Sequence, residues 1–197
     1  ADGRTETGAA FLARVHRTAG ALQALGVRPG DRVAVQVAKT PAALALYGAC
    51  VAAGAVLLPL NTAYTTSEVD YFVGDATPRV LVADPAQAEA LAAVAARHGA
   101  ALVTLDAAGE GTLADACAAA SDTFDVVPRA PDDLAALLYT SGTTGRSKGA
   151  MLSHANLLSN ATTLAEAWRF GPRDVLLHAL PIFHTHGLFV ATNVTLA

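Results

Sequence analysis

The chain has 197 residues, 53% of them hydrophobic, which is enough apolar material to bury a core. Its formal net charge of −4 argues against a nucleic-acid or anionic-membrane partner, because such partners require concentrated Lys/Arg patches. Cys50 and Cys117 lie in alanine-rich surroundings without CxxC or Cys/His ligand spacing. We therefore expect buried free thiols and a cytoplasmic protein.

Patterns in the first half of the chain alternate between helix and strand. Apolar spacing predicts a helix over residues 8–25, and alternation predicts a strand over 32–37. The same order is repeated by a strand over 78–83, a helix over 85–98 and a strand over 101–105. This rhythm predicts an α/β fold in which a parallel sheet is flanked by helices.

Residues 41–60 carry no charge and have the length of a membrane span. Two glycines and a proline interrupt them, so we interpret the stretch as an apolar helix to about Ala53 and a buried strand over 55–58. No secretory signal is visible at the N-terminus. We expect no membrane partner.

Two weaker segments connect these elements. A short helix is expected to open at residues 66–68, with Ser67 as its N-cap and its aromatic side chains in the core. Residues 109–122 are alanine-rich, and residues 121–133 hold two prolines and four aspartates. The main internal connector is therefore expected near 121–133, without a domain boundary there.

Residues 137–149 join an apolar strand pattern to a cluster of glycines, hydroxyls and cations. Glycines let several backbone N–H groups converge on one anion, and hydroxyls and cations add donors and countercharge. The predicted phosphate-binding residues are Thr140, Ser141, Gly142, Thr143, Thr144, Gly145 and Lys148. An ordinary turn needs only two or three residues of this kind. The loop is not a Walker loop, because Gly149 and an expected return strand over 150–152 follow Lys148.

A second polar constellation follows a helix predicted over 156–169. His154 precedes that helix and is interpreted as a capping or packing residue. A strand expected over 174–179 leads into a proline turn that carries His184 and His186. Ligands bind at strand ends in α/β folds, so we favour an anion site. A metal pair and buried structural histidines remain alternatives.

The segment from Tyr139 to Gly149 resembles the signature loop of the adenylate-forming superfamily, which includes acyl-CoA synthetases, luciferases and peptide-synthetase adenylation domains. Ser147 stands where that family more often has proline. A second element of the superfamily is matched by Pro181, Phe183, His184 and Gly187. A closer resemblance to the malonyl-CoA synthetase branch is carried by residues 178–189, 60–64 and 69–72.

This resemblance implies ATP-dependent ligation of malonate, or of methylmalonate, to coenzyme A through an acyl-adenylate, with Mg²⁺ accompanying ATP. Lys148 and the loop would bind the phosphates, and His184 would lie beside the reacting carboxylate. His186 would face the acyl pocket, at a position that is often apolar or aromatic in relatives. An imidazole there favours a substrate with a second polar or negative end.

Members of the superfamily are much longer than this chain. Residues 1–197 are therefore expected to be an incomplete part of the large N-terminal domain, with the C-terminal domain and all metal ligands absent. We predict that the chain alone is inactive. The alternatives are an acyl- or aryl-CoA synthetase for a monocarboxylic acid and a non-catalytic ATP-binding module.

Overall fold

The computed structural model describes residue 3 and residues 5–140 and 147–197. Thr140, Lys148, His184 and His186 are among the described residues. The remaining predicted phosphate-binding residues lie outside them, and their assignments stay predictions: Ser141, Gly142, Thr143, Thr144 and Gly145.

A six-stranded sheet forms the centre of the fold, in the order β4-β3-β1-β2-β5-β6. The strands are β1 (Arg32–Gln36), β2 (Val56–Pro59), β3 (Val80–Ala83), β4 (Ala101–Thr104), β5 (Leu134–Thr140) and β6 (Lys148–Ser153). Strands β1 to β5 pair in parallel, and β6 runs antiparallel to β5 at one edge. The predicted parallel α/β sheet is confirmed, and β6 is the expected return strand.

Helices cover both faces of the sheet. They are α1 (Gly8–Ala24), α2 (Pro41–Ala52), α3 (Thr66–Ala76), α4 (Ala88–His98), α5 (Thr112–Ala118), α6 (His154–Trp168) and α7 (Asn193–Leu196), with a 3₁₀ turn at Pro85–Gln87 and a π-helical segment at His186–Thr192. Val33 and Leu57 pack into the core that includes α1 and α2, whereas Ala34 and Leu58 pack against α3 and α4. Burial on both faces explains the nearly continuous apolar strands.

The N-cap of α3 differs from the prediction. Thr65, not Ser67, caps the helix: its Oγ1 accepts a hydrogen bond from Glu68 N at 3.3 Å, and the Glu68 carboxylate accepts one from Thr65 N at 2.8 Å. Three consecutive hydroxyl residues were candidates, and the glutamate three positions after Thr65 completes a capping box only with that residue.

The strand predicted over residues 174–179 is wrong. Val175 and Leu177 are 93% and 89% exposed, and neither pairs with a strand in the part of the chain that the structure describes. A short apolar run fits a strand, but a strand also needs a neighbour for its backbone groups. The segment therefore reaches the histidine turn as extended chain.

Smaller features agree more closely with the sequence. Residues 112–118 form α5, and no helix or strand occurs between α5 and β5. His154 is the first residue of α6, whose cap is Ser153. Cys50 is a buried free thiol, and burial raises its pKa to about 12, whereas Cys117 is only half-buried. Among the described helices, none has both the length and the apolar character needed to cross a membrane.

Candidate functional site

Strands β5 and β6 are the two arms of a hairpin that brackets the predicted phosphate loop. Thr140 pairs with Lys148, and Tyr139 pairs with Gly149. Because β5 is parallel to β2, Thr140 lies at the carboxyl edge of the parallel sheet, where ligands bind in folds of this type. Thr140 and Lys148 are both exposed. The hairpin thus presents a hydroxyl and a cation side by side at this edge.

The histidine turn, residues 180–187, carries the second pair of predicted site residues. His184 and His186 are both exposed, which contradicts the alternative that they are buried structural histidines. The ring of His184 packs against Phe183, with ring centroids 4.6 Å apart. No group of three or more metal-binding side chains occurs among residues 5–140 and 147–197. The two imidazoles are therefore available to a ligand in solution.

Lys39 joins the histidine turn to the carboxyl edge of the sheet. It follows β1, and its Nζ donates hydrogen bonds to the carbonyl oxygens of His178, at 2.8 Å, and Leu180, at 2.9 Å. Ile182 is buried in the core, which packs the turn onto the sheet. The histidine turn and the hairpin consequently share one edge of the sheet, although no hydrogen bond joins Thr140 or Lys148 to His184 or His186, the predicted site residues that the structure describes.

A second hydrogen-bond chain stabilises the far side of the turn. Thr192 Oγ1 donates to the carbonyl oxygen of Gly187 at 3.1 Å and lies 3.0 Å from His178 Nε2. Since a hydroxyl has one hydrogen, the hydroxyl must accept from His178, which places the imidazole proton on Nε2. A Cβ atom on Gly187 would lie 2.0 Å from the carbonyl oxygen of Pro181. The turn is closed too tightly for any side chain at that position.

A hairpin that brackets the predicted phosphate loop, together with a histidine turn at the same sheet edge, is the arrangement expected of an adenylate-forming enzyme. The chain matches the family of AMP-binding enzymes over residues 1–197, and it belongs to that family.

The relatives agree with this assignment. The chain is 58% identical to MatB from Rhodopseudomonas palustris, whose apo and ATP-bound crystal structures superpose with a TM-score of 0.97 over 100% of this chain and 39% of that one. A feruloyl-CoA synthase from an Amycolatopsis species is 40% identical over 194 residues, or 98% of this chain and 38% of that protein. A malonate–CoA ligase from Arabidopsis thaliana is 34% identical over 140 residues, 70% of this chain and 23% of that protein. The chain thus spans less than two fifths of each.

Proposed function

We propose that residues 1–197 are part of the large N-terminal domain of an enzyme that ligates malonate to coenzyme A, at the expense of ATP. One observation carries the proposal: the hairpin pairs Thr140 with Lys148 at the sheet edge that also bears the exposed His184 and His186. The similarity to MatB in its ATP-bound form and to a malonate–CoA ligase supports the nucleotide and the acid.

The reaction has two steps. A carboxylate oxygen of malonate attacks the α-phosphorus of ATP, the bond to the bridging oxygen of the β-phosphate breaks, and pyrophosphate leaves. The thiol of coenzyme A then attacks the acyl carbon, gives up its proton and displaces AMP. Negative charge accumulates on the phosphates in the first step, so positioning and countercharge are the main contributions required of the protein.

The described residues have distinct roles in this scheme. Lys148 supplies a positive charge, and Thr140 a hydroxyl donor, to the departing β- and γ-phosphates. His184 lies beside the reacting carboxylate, and His186 faces the second carboxylate of malonate. ATP brings Mg²⁺, but the described part of the chain offers no cluster of metal-binding side chains. We therefore assign no residue of this chain to the metal.

A second candidate is an aryl-CoA synthetase for a monocarboxylic acid. The 40% identity to a feruloyl-CoA synthase over 98% of the chain favours it. In that case the imidazole of His186 has no second carboxylate to bind. A non-catalytic ATP-binding module is a further alternative, with the same hairpin and no chemistry.

The experiment that separates these candidates uses the full-length protein and measures coenzyme A-dependent release of pyrophosphate with malonate, butyrate and ferulate. We expect malonate to be used best. Equal rates with malonate and butyrate would contradict the dicarboxylate proposal, and faster use of ferulate would favour the aryl alternative. Binding of ATP without any acyl-adenylate would identify a non-catalytic module. Malonate-dependent pyrophosphate exchange by residues 1–197 alone would contradict the prediction that this chain by itself is inactive.

The replacement His186→Leu tests the acyl side of the site. Loss of the imidazole should lower kcat/KM for malonate and retain or raise it for butyrate, because an apolar wall suits an unbranched monoacid. His16→Leu is the control, because His16 lies on α1 and contacts the backbone of Asp122 instead of the turn. A uniform loss with both acids would assign His186 to folding.

A further inference from the structure

Helix α3 contacts both arms of the hairpin. The hydroxyl of Tyr71 donates a hydrogen bond to the carbonyl oxygen of Ser147 at 2.9 Å. The hydroxyl of Tyr139 donates to the carboxylate of Asp75. Tyr71 and Asp75 are four residues apart and therefore project from the same side of α3. One helix face thus reaches the residue before Thr140 on β5 and the residue before Lys148 on β6.

The rings of Tyr71 and Tyr139 both pack against Phe72, independently of the hydrogen bonds that their hydroxyls make. The ring of Phe72 lies 4.6 Å from that of Tyr139 and 5.3 Å from that of Tyr71, measured between centroids. Phe72 is only 3% exposed and belongs to the core between α3 and the sheet. The capping box at the start of α3 fixes its first turn as well. The helix is therefore fixed to the core at its first turn and at Phe72, and the hairpin packs against it.

Asp75 is in an unusual place for a carboxylate. It is the second-last residue of α3, and negative charge at a helix C-terminus is unfavourable. Helix stability therefore does not explain Asp75, whereas its bond to Tyr139 does. Burial, and then the neighbouring Asp75, raise the pKa of the Tyr139 phenol, so the hydroxyl stays protonated and remains a donor at neutral pH.

The hydrogen bond from Tyr71 to Ser147 also links α3 to the hairpin. Ser147 directly precedes β6, whose pairing with β5 runs from Lys148 to Ser153 among the described residues. The bond from Tyr71 restrains the backbone at this position.

We propose that Tyr71 and Asp75 are positioning residues, which hold the two hairpin arms so that Thr140 and Lys148 face the phosphates of one nucleotide. This inference rests on the proposed function, because it takes the nucleotide to bind between the arms. Neither residue touches the nucleotide. Their contribution is to set where the two phosphate-binding groups stand before ATP arrives.

The test measures the affinity of the full-length protein for ATP by calorimetry, without any carboxylic acid present. Tyr71→Phe removes one hydroxyl and keeps the ring. We expect the Kd for ATP to rise roughly 2- to 12-fold, the range that a single net hydrogen bond supports, while the KM for coenzyme A stays constant. Tyr64→Phe is the matched control, because Tyr64 packs on Phe72 but its hydroxyl bonds to none of the described residues. Its affinity should equal that of the wild type.

Replacements of Asp75 provide a conservative rescue. Asp75→Asn keeps an oxygen that can accept from Tyr139, whereas Asp75→Ala keeps none. We expect ATP affinity to decrease in the order wild type, Asn variant, Ala variant, with the KM for coenzyme A constant. If every variant loses stability and raises all substrate constants in parallel, the contacts are merely structural and the proposal is wrong.

The outcomes also separate this inference from the proposed function. If the wild type makes malonyl-CoA while Tyr71→Phe and Asp75→Ala bind ATP as tightly as it does, only the positioning role fails. If the wild type binds ATP but forms no malonyl-CoA, the proposed function fails, and the positioning role is decided by the ATP affinities alone. A wild type that binds no ATP overturns both.

Discussion

The hairpin and the histidine turn lie at one edge of the same sheet, yet the structure holds them in different ways. The hairpin arms are tied to α3 by two tyrosine hydroxyls, those of Tyr71 and Tyr139. The histidine turn is closed by backbone crowding at Gly187 and by Lys39, which bonds to two carbonyl oxygens. Side-chain hydroxyls position the first element, whereas close backbone packing, together with the Lys39 side chain, shapes the second.

This difference predicts how each element responds to substitution. The phosphate-binding side chains of the hairpin, such as Lys148, are exposed, so trimming one of them should act on ligand binding or turnover alone. The turn has no spare volume at its closure, and a change there should act on stability and activity together. Three substitutions test whether the hairpin and the histidine turn respond in these different ways.

The largest effect is expected for Lys148→Ala in the full-length protein. Lys148 is exposed, so its loss should leave the free energy of unfolding unchanged. Removal of one charged donor from the departing phosphates should lower kcat about 10²- to 10³-fold, or about 3 to 4 kcal/mol of transition-state stabilisation. Steady-state kinetics with malonate measure kcat, and a thermal melt measures the change in stability. Arg28→Ala serves as the control, because Arg28 is exposed before β1, at the opposite edge of the sheet. Unchanged turnover would make Lys148 an ordinary surface residue.

Gly187→Ala should have the next largest effect, and it should act on stability. The new Cβ would meet the carbonyl oxygen of Pro181 at 2.0 Å, so the backbone of the turn has to move. Overpacking of this kind costs about 1 to 3 kcal/mol of the free energy of unfolding. Gly171→Ala is the matched control, since its Cβ would meet nothing within 4 Å. Denaturant unfolding of the two variants measures the difference, and equal midpoints would show that the turn is not closed by crowding.

The sequence predicts the sheet well for a physical reason. Strands buried on both faces are apolar throughout, as Val80–Ala83 is, and helices between them carry caps or proline at their first position. These signals lie within a few residues of the element they specify. Thr140, Lys148 and the two histidines were predicted as site residues in the same way, because each lies in a short polar stretch after an apolar run, and their roles stay predictions.

The parts that sequence patterns miss depend on distant partners. The contact between Lys39 and Leu180 joins residues 141 positions apart, and that between Tyr71 and Ser147 joins residues 76 apart. No local spacing encodes either pair. The aromatic side chains of α3 were predicted to be core, which is right for Phe72 but not for the partly exposed Tyr71. Val175 shows the converse, since the short apolar run that it begins predicted a strand that has no neighbour among the described residues.

Lys39→Met should have the smallest effect and tests the separation most directly. The variant keeps the length of the side chain but loses both hydrogen bonds to the turn. Because Lys39 is exposed, we expect kcat/KM for malonate to fall roughly fivefold, which is about 1 kcal/mol of transition-state stabilisation. The affinity for ATP should be unchanged. If the turn and the hairpin are held independently, the effects of Lys39→Met and Tyr71→Phe on kcat/KM should add in the double variant. If the double variant is no worse than either single variant, Lys39 and α3 act on one coupled element. The proposal that the hairpin and the histidine turn are held independently would then be wrong.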